Sequence, residues 1–273
     1  METRVLAPVP IAAIAALAAR SLLDPPTESE LRGALLARDQ PATVRGDPDT
    51  GIVATVTAGD QGFVRFLAVD PAARGQGLGR ALLAAAESDL RDAGARSVTV
   101  GSDPPHYLWA GVDTRELGTI CLLERVKYHR VDANFNMDVD LDRLPPDPGG
   151  WRVATAADRA AVDAWATQHW GFWSAEMLRA LDQGGLVVAE DADGLVAVCA
   201  HDVTRSGFVG PVAVRPDLMG RGAGVAPLVG ALHEMRRAGL TRAEVSWVGP
   251  VVPYARVGAT IGRVFLVYRK ELT

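Results

Sequence analysis

The sequence predicts an α/β fold: two tandem copies of one domain, each a mixed sheet with helices on its faces. Three observations carry this. The chain has 273 residues, a length that suits two domains of about 100–150 residues. The stretch "GFVRFLAVDPAARGQGLGRALL", Gly62 to Leu83, returns as "GFVGPVAVRPDLMGRGAGVAPL", Gly207 to Leu228. With a shift of 145, Gly62, Phe63, Val64, Ala68, Val69, Pro71, Gly75, Gly77 and Gly79 fall on Gly207, Phe208, Val209, Ala213, Val214, Pro216, Gly220, Gly222 and Gly224 without a gap. That is one domain duplicated, not an array of short units. Finally, β-like runs alternate with apolar helical patterns, as in a sheet with crossover helices.

The elements follow in order. A short strand precedes a helix over Ile11–Leu22, with Ile11, Ile14 and Leu17 on one face. The same run, "VLAPVPIAAIAALAAR", has signal-peptide length, but its counterpart in the second copy favours the helix. After a turn at Asp24-Pro25-Pro26 comes a second helix, Glu28–Arg38, then strands near 42–46, 51–57 and 62–69. A helix over 76–93, a strand at 97–101, a loop, a helix near 116–126 and a final strand pair to Leu141 complete the first copy. "DRLPPDPGG" is rich in Pro and Gly and lacks periodicity, so it reads as a linker. The expected domains are therefore 1–141 and 151–273, with 142–150 between them.

Composition narrows the function. A net charge of −5 gives no footprint for nucleic acid, and a mildly acidic surface suits a cationic small substrate. No apolar run reaches membrane-spanning length. The two cysteines, Cys121 and Cys199, lie far apart, which suggests neither a disulfide framework nor a metal site and points to a cytoplasmic setting. The chain is expected to be a monomer or a homodimer.

The glycine turn carries the chemistry. Amides in the first turn of a helix lack intrahelical partners and sit at the positive end of its dipole. Alternating glycines allow unusual φ values and a close approach of ligand to backbone. Together these form an anion cradle, most often for phosphate. A P-loop would end in Gly-Lys-Ser/Thr, whereas Gly79 is followed by Arg80-Ala81. A dinucleotide fingerprint would read G-x-G-x-x-G in the first βαβ unit, and this turn has neither the spacing nor the position.

"RGQGLG", Arg74 to Gly79, preceded by "LAVDP", resembles motif A of the GNAT superfamily of N-acetyltransferases. The resemblance implies that this turn binds the pyrophosphate of acetyl-coenzyme A, used as a co-substrate without a metal. It implicates Gly75 and the amides of Gln76, Gly77, Gly79 and Arg80, with Arg74 or Arg80 adding charge. In the second copy Gly220, Gly222, Gly224 and Val225 take these places, Met219 replaces Arg74, and Arg221 is the candidate cation. Backbone amides near Val69 or Val214 are the implied oxyanion donors. "PYARVGATIGRVFLVYRKEL" resembles the family's Tyr-x-x-x-Gly-Phe helix end, which makes Tyr254 the candidate acid for the leaving thiol. Copy one has Leu123 there. In layout the chain is similar to two-copy members of the family.

The acceptor side is expected in copy two, which holds five of the six tryptophans. Trp170, Phe172, Trp173 and Trp247 are candidate walls for an apolar or cationic group. His106 and Tyr107 are candidates for lining copy one. Glu176 and Glu244 read as solvated acids, and no general base stands out. The function expected is transfer of acetyl to the amine of a small molecule. An acyl-coenzyme A-binding module without turnover, or an enzyme for a longer acyl chain, remains the alternative.

Overall fold

The computed structural model describes residues 3–272. Helix α1, Ile11–Ser21, buries Ile11, Ile14, Leu17, Ala18 and Ser21 along one stripe. Thr27 opens α2, Glu28–Leu35, with a reciprocal capping box: its hydroxyl accepts from the Glu30 N–H and its own N–H donates to the Glu30 carboxylate. Strands β1 (Thr43–Asp47), β2 (Gly51–Ala58) and β3 (Gln61–Val69) form a meander. Next come α3 (Leu78–Asp92), β4 (Ser97–Val100), β5 (Val112–Asp113), α4 (Leu117–Arg125) and β6 (His129–Asp140). Two expectations are corrected. The first strand is only a bridge, Val5 to Arg45. The final strand pair of the first copy is one long strand, β6, preceded at a distance by the two-residue β5.

The second copy repeats the order as β7 (Arg152–Val153), α5 (Arg159–Trp170), α6 (Ser174–Gln183), β8 (Leu186–Asp191), β9 (Gly194–His201) and β10 (Phe208–Val214). It continues with α7 (Val225–Arg237), β11 (Arg242–Val245), α8 (Val251–Ala255) and β12 (Thr260–Glu271). Among the described residues no helix is long and apolar enough to cross a membrane.

Packing divides the chain into unit 1, Met1–Asn134 with Arg263–Thr273, and unit 2, Phe135–Gly262. Unit 1 holds the order β1-β2-β3-β4-β12, and β12 lies antiparallel to β4 with Tyr268 opposite Val100 and Glu271 opposite Ser97. Unit 2 holds β7-β8-β9-β10-β11-β6, with Met137 to Asp140 of β6 antiparallel to Val245 to Arg242. Each copy's terminal strand therefore lies in the other unit's sheet. The boundary expected from the repeat, 141 against 151, follows the duplication; the packing follows the exchange.

The period-2 alternation of β2 places its side chains on both faces of the unit 1 sheet. Ile52 and Ala54 join α1 and α2 in one apolar cluster, and Val53 joins α3 and Leu123 in the other. Unit 2 has the same two layers, with α5 and α6 on one face and α7 on the opposite one.

Candidate active site

Beyond Val64 the unit 1 sheet opens. β3 and β4 are parallel partners only over Gln61–Val64 and Ser97–Val100, and the Gly101 N–H closes the ladder on the Val64 carbonyl at 2.9 Å. β3 runs on to Val69, with a bulge at Arg65. Asp70 then caps a single turn, Pro71–Ala73, by accepting the Ala72 N–H at 2.8 Å. The Arg20 guanidinium, together with that amide, holds the Asp70 carboxyl below the usual range. Gly75 and Gly77 follow at φ +76° and +85°, and α3 starts at Leu78. A Cβ at Gly75 would meet nothing within 4 Å, and one at Gly77 only the Arg80 guanidinium at 3.8 Å. Backbone conformation, not crowding, requires glycine at both. Gly79 differs: a Cβ there would press on Leu122 of α4 at 2.8 Å.

This turn and α4 bound a cleft of about 910 Å³. Val69, Gly77 and Arg80 line one side, and Gly118, Cys121 and Arg125 the other. The open glycines, the first-turn amides of α3 and two guanidinium groups suit a diphosphate. Arg74 has another task. Its Nε donates to the Val69 carbonyl at 3.1 Å and its Nη2 to the Ser21 carbonyl at 2.6 Å, so it braces the turn against the end of α1. The Gln76 side chain likewise donates to the Ala72 carbonyl. Arg125, which sequence reasoning missed, is the cation facing Arg80's side of the cleft.

Adjoining the cleft is a small apolar pocket of about 70 Å³. The two share Leu22, Leu67, Glu116 and Thr119. Phe66, Val100, Trp109 and Val112 supply further walls, and the Trp109 ring stacks on Phe66 at 6.4 Å. Three carboxylates border it. Asp24 accepts from Trp109 Nε1 at 3.3 Å and pairs with Arg263. Asp113 binds Arg115 through Nε at 3.0 Å and Nη2 at 2.7 Å. Its burial works against the charge, but the Arg115 bonds keep its carboxyl below the usual range. Glu116 accepts the Leu23 N–H at 2.9 Å.

Residues 26–110 match the family model described as the acetyltransferase (GNAT) family. The chain is also 28% identical to the mycothiol acetyltransferase of Geodermatophilus obscurus, over 82% of this chain and 84% of that protein. A tandem GNAT protein from the clavulanic acid biosynthesis pathway superimposes with a TM-score of 0.74 at 19% identity, over 100% of this chain and 98% of its own. Residues 26–110, in unit 1, carry the match to the GNAT family, and the whole chain is similar to tandem GNAT proteins. Its two-unit fold is that of the tandem GNAT proteins, and it is an acyltransferase. A glucosamine N-acetyltransferase region within a fungal multi-domain GH3 β-N-acetylglucosaminidase gives a TM-score of 0.79 at 19% identity. It matches over 98% of this chain, which spans 38% of that longer protein.

The second unit keeps the glycines and departs in detail. Gly220 and Gly222 have φ +76° and +83°. By the repeat, Leu78 corresponds to Ala223, yet α7 begins at Val225. The Val225 N–H donates to the Gly222 carbonyl at 3.0 Å and the Arg221 N–H to the Leu218 carbonyl at 3.2 Å, so these two backbone amides are engaged locally. A Cβ at Gly224 would press on Val214 at 2.9 Å, the counterpart of Gly79 on Leu122. Trp170 donates its indole N–H to the Val214 carbonyl at 2.9 Å and stacks on Trp173 at 5.2 Å. Phe172 packs on both rings and is 68% exposed. The aromatic loop thus lies on the strand end of unit 2. Trp247, at φ +50°, donates its backbone N–H to Asn136 Oδ1 at 2.8 Å.

The helix ends align as expected. Lys127 and Gly258 both have positive φ, and the next amide returns to Leu123 at 2.9 Å in one unit and to Tyr254 at 3.0 Å in the other. Leu123 and Tyr254 are both core residues. Tyr254 is 8% exposed, and burial, then the neighbouring Cys199, pushes its hydroxyl well above the ordinary phenol range. Such a phenol holds its proton firmly, and its packing fits a core role. His106 is buried against Asp39 at 2.9 Å, and Tyr107 is also buried; Trp109, two residues on, is the one that lines the pocket. Glu176 is corrected: it is 3% exposed, not solvated. Glu244 accepts from Asn136 Nδ2 at 2.6 Å. The pocket residues Asp24, Trp109, Asp113 and Glu116 carried no motif. Their signal is chemical type on a loop that only the fold brings to the cleft.

Proposed function

We propose that unit 1 binds acetyl-coenzyme A and transfers its acetyl group to the amine of a small-molecule acceptor by direct attack. The observation that carries this reading is the continuity of the unit 1 cleft with the small pocket at Leu67 and Glu116. The cleft supplies an anion cradle at one end, and the pocket supplies space for a second substrate at the other. The amides of Gly77, Gly79 and Arg80 would hold the pyrophosphate, with Arg80 and Arg125 as counter-charges. The segment Leu67–Val69, free of β4, would offer backbone groups to the acyl end.

A neutral amine attacks the thioester carbonyl, the C–S bond breaks and the thiol leaves. A thiol of ordinary pKa, about 8.5, leaves without a dedicated acid, so Leu123 at the tyrosine position is no obstacle in unit 1. A second reading gives unit 2 acyl-coenzyme A binding without turnover, since its left-handed glycines are kept. The two free cysteines, Cys121 and Cys199, suit a cytoplasmic protein.

Calorimetric titration of acetyl-coenzyme A into wild type, Gly77→Glu and Gly222→Glu tests this. Gly77→Glu should abolish binding and thiol release, while Gly222→Glu leaves both within about threefold. The reverse pattern would move the chemistry to unit 2.

A further inference from the structure

We infer that the small pocket of unit 1 takes a primary amine on a short apolar stem of a few carbons, and that Glu116 removes the proton from its nitrogen. This rests on the proposed acetyl transfer in unit 1. Space sets the size of the acceptor. About 70 Å³ corresponds to roughly five or six water-sized volumes, room for an amine that carries only a few carbons. Leu22, Phe66, Val100, Trp109 and Val112 make the walls apolar. The Trp109 ring is held by its stacking on Phe66 and its bond to Asp24, so it offers a fixed face to an ammonium group and the methylene next to it.

Charge then selects among the carboxylates. Asp24 is paired with Arg263 and Asp113 with Arg115, so each is neutralised where it stands. Glu116 is different: among the described residues its carboxylate accepts only the Leu23 backbone N–H, on Oε1, which leaves Oε2 unclaimed. It stands at the head of α4, with its own N–H anchored to the Asp113 carbonyl at 2.9 Å, where the helix dipole favours its charge. It is also the one carboxylate that lines both the pocket and the cleft. A base for this reaction needs that location, since the amine must lose a proton where it meets the thioester.

The step balances. R–NH3+ passes a proton to Glu116 Oε2, giving R–NH2 and a neutral carboxyl. Nitrogen attacks the carbonyl carbon, the C–S bond breaks, and the second nitrogen proton goes to the leaving thiolate. The products are the amide and the free thiol, and Glu116 returns its proton to water.

The test pairs thiol release with calorimetry on the full chain. Acceptor probes are ethylamine, n-butylamine and n-octylamine, with wild type, Glu116→Gln and Glu116→Asp. The glutamine keeps an acceptor for Leu23. Wild type should acetylate n-butylamine at least tenfold faster than n-octylamine, whose nitrogen is equally nucleophilic. Glu116→Gln should lower kcat at pH 7 by about 10²-fold or more, with the loss shrinking as pH rises and the amine deprotonates unaided. Glu116→Asp should recover part of the rate. Acetyl-coenzyme A affinity should stay within twofold in both. Turnover by Glu116→Gln within threefold of wild type, a loss that does not vary with pH, or no preference for the short chain would overturn the inference. Wild type that binds acetyl-coenzyme A yet acetylates none of the three amines would overturn it and leave the cofactor reading standing. Wild type that does not bind acetyl-coenzyme A would overturn both.

Discussion

Trp170 and Val214 form in unit 2 the bond that Arg74 and Val69 form in unit 1: an indole N–H on the strand-end carbonyl at 2.9 Å, against a guanidinium Nε at 3.1 Å. The duplicated turn needs that carbonyl satisfied. One copy does it from the turn itself, which leaves the groove clear. The other has Met219 at the arginine's position and does it from α5, which brings the aromatic loop onto the strand end.

Replacing Arg74 with methionine, the residue of the sister copy, should therefore loosen the turn without removing any glycine. Two carbonyls, Val69 and Ser21, lose their charged donor. The expected cost is about 1 kcal/mol, or a Tm lower by roughly 2–4 °C. Weaker acetyl-coenzyme A binding should accompany it. Calorimetric melting and titration check both, and unchanged affinity would mean that the brace does not shape the cradle.

Cys121 lines the unit 1 cleft and is exposed, whereas Cys199 is fully buried and its thiol is held protonated by that burial. Iodoacetamide should label Cys121 alone in the folded protein. Saturating acetyl-coenzyme A should slow the labelling at least tenfold. Mass spectrometry of the two tryptic peptides reads this directly, and labelling that ignores the ligand would place the ligand elsewhere.

Glu176 makes stability depend on pH. It lies where the first copy has Leu31, a core residue, and burial pushes its carboxyl up to about 7. The folded state keeps this proton over a range in which the unfolded chain, with a carboxyl near 4.3, has released it. Stability is thus undiminished below about pH 4, falls as pH rises, and reaches its full loss above about pH 7. The loss is on the order of 3 kcal/mol. Glu176→Gln, or the sister residue in Glu176→Leu, should raise Tm at pH 8 and flatten the decline between pH 5 and 7. Melting curves across that interval that coincide for wild type and variant would show that the buried carboxyl does not govern stability there.

The duplication, the glycine turns and most elements were legible because they are local: periodicity, caps and left-handed glycines are written in neighbouring residues. The bracing role of Arg74 was not, because its second acceptor, Ser21, is remote in sequence and a guanidinium beside a phosphate cradle reads equally well as a ligand. Glu116 was hidden for a related reason. It is an ordinary acid ahead of a helix until β3 and β4 part and bring the cleft to it. The lone tryptophan of the first copy, Trp109, was outweighed by five in the second, since composition counts rings without knowing which ones meet a cavity.

The exchange of terminal strands bears on how the molecule is made. A chain emerging from the ribosome normally settles its earlier domain first. Here the unit that carries the cleft stays without β12, and its Asp24 without Arg263, until residues beyond 260 have been synthesised. Premature termination in the second copy before β12 therefore yields a polypeptide that contains every residue lining the cleft and the pocket but lacks the strand that pairs with β4 and the arginine that pairs with Asp24. Such a product has the groove's residues without the sheet edge that frames them.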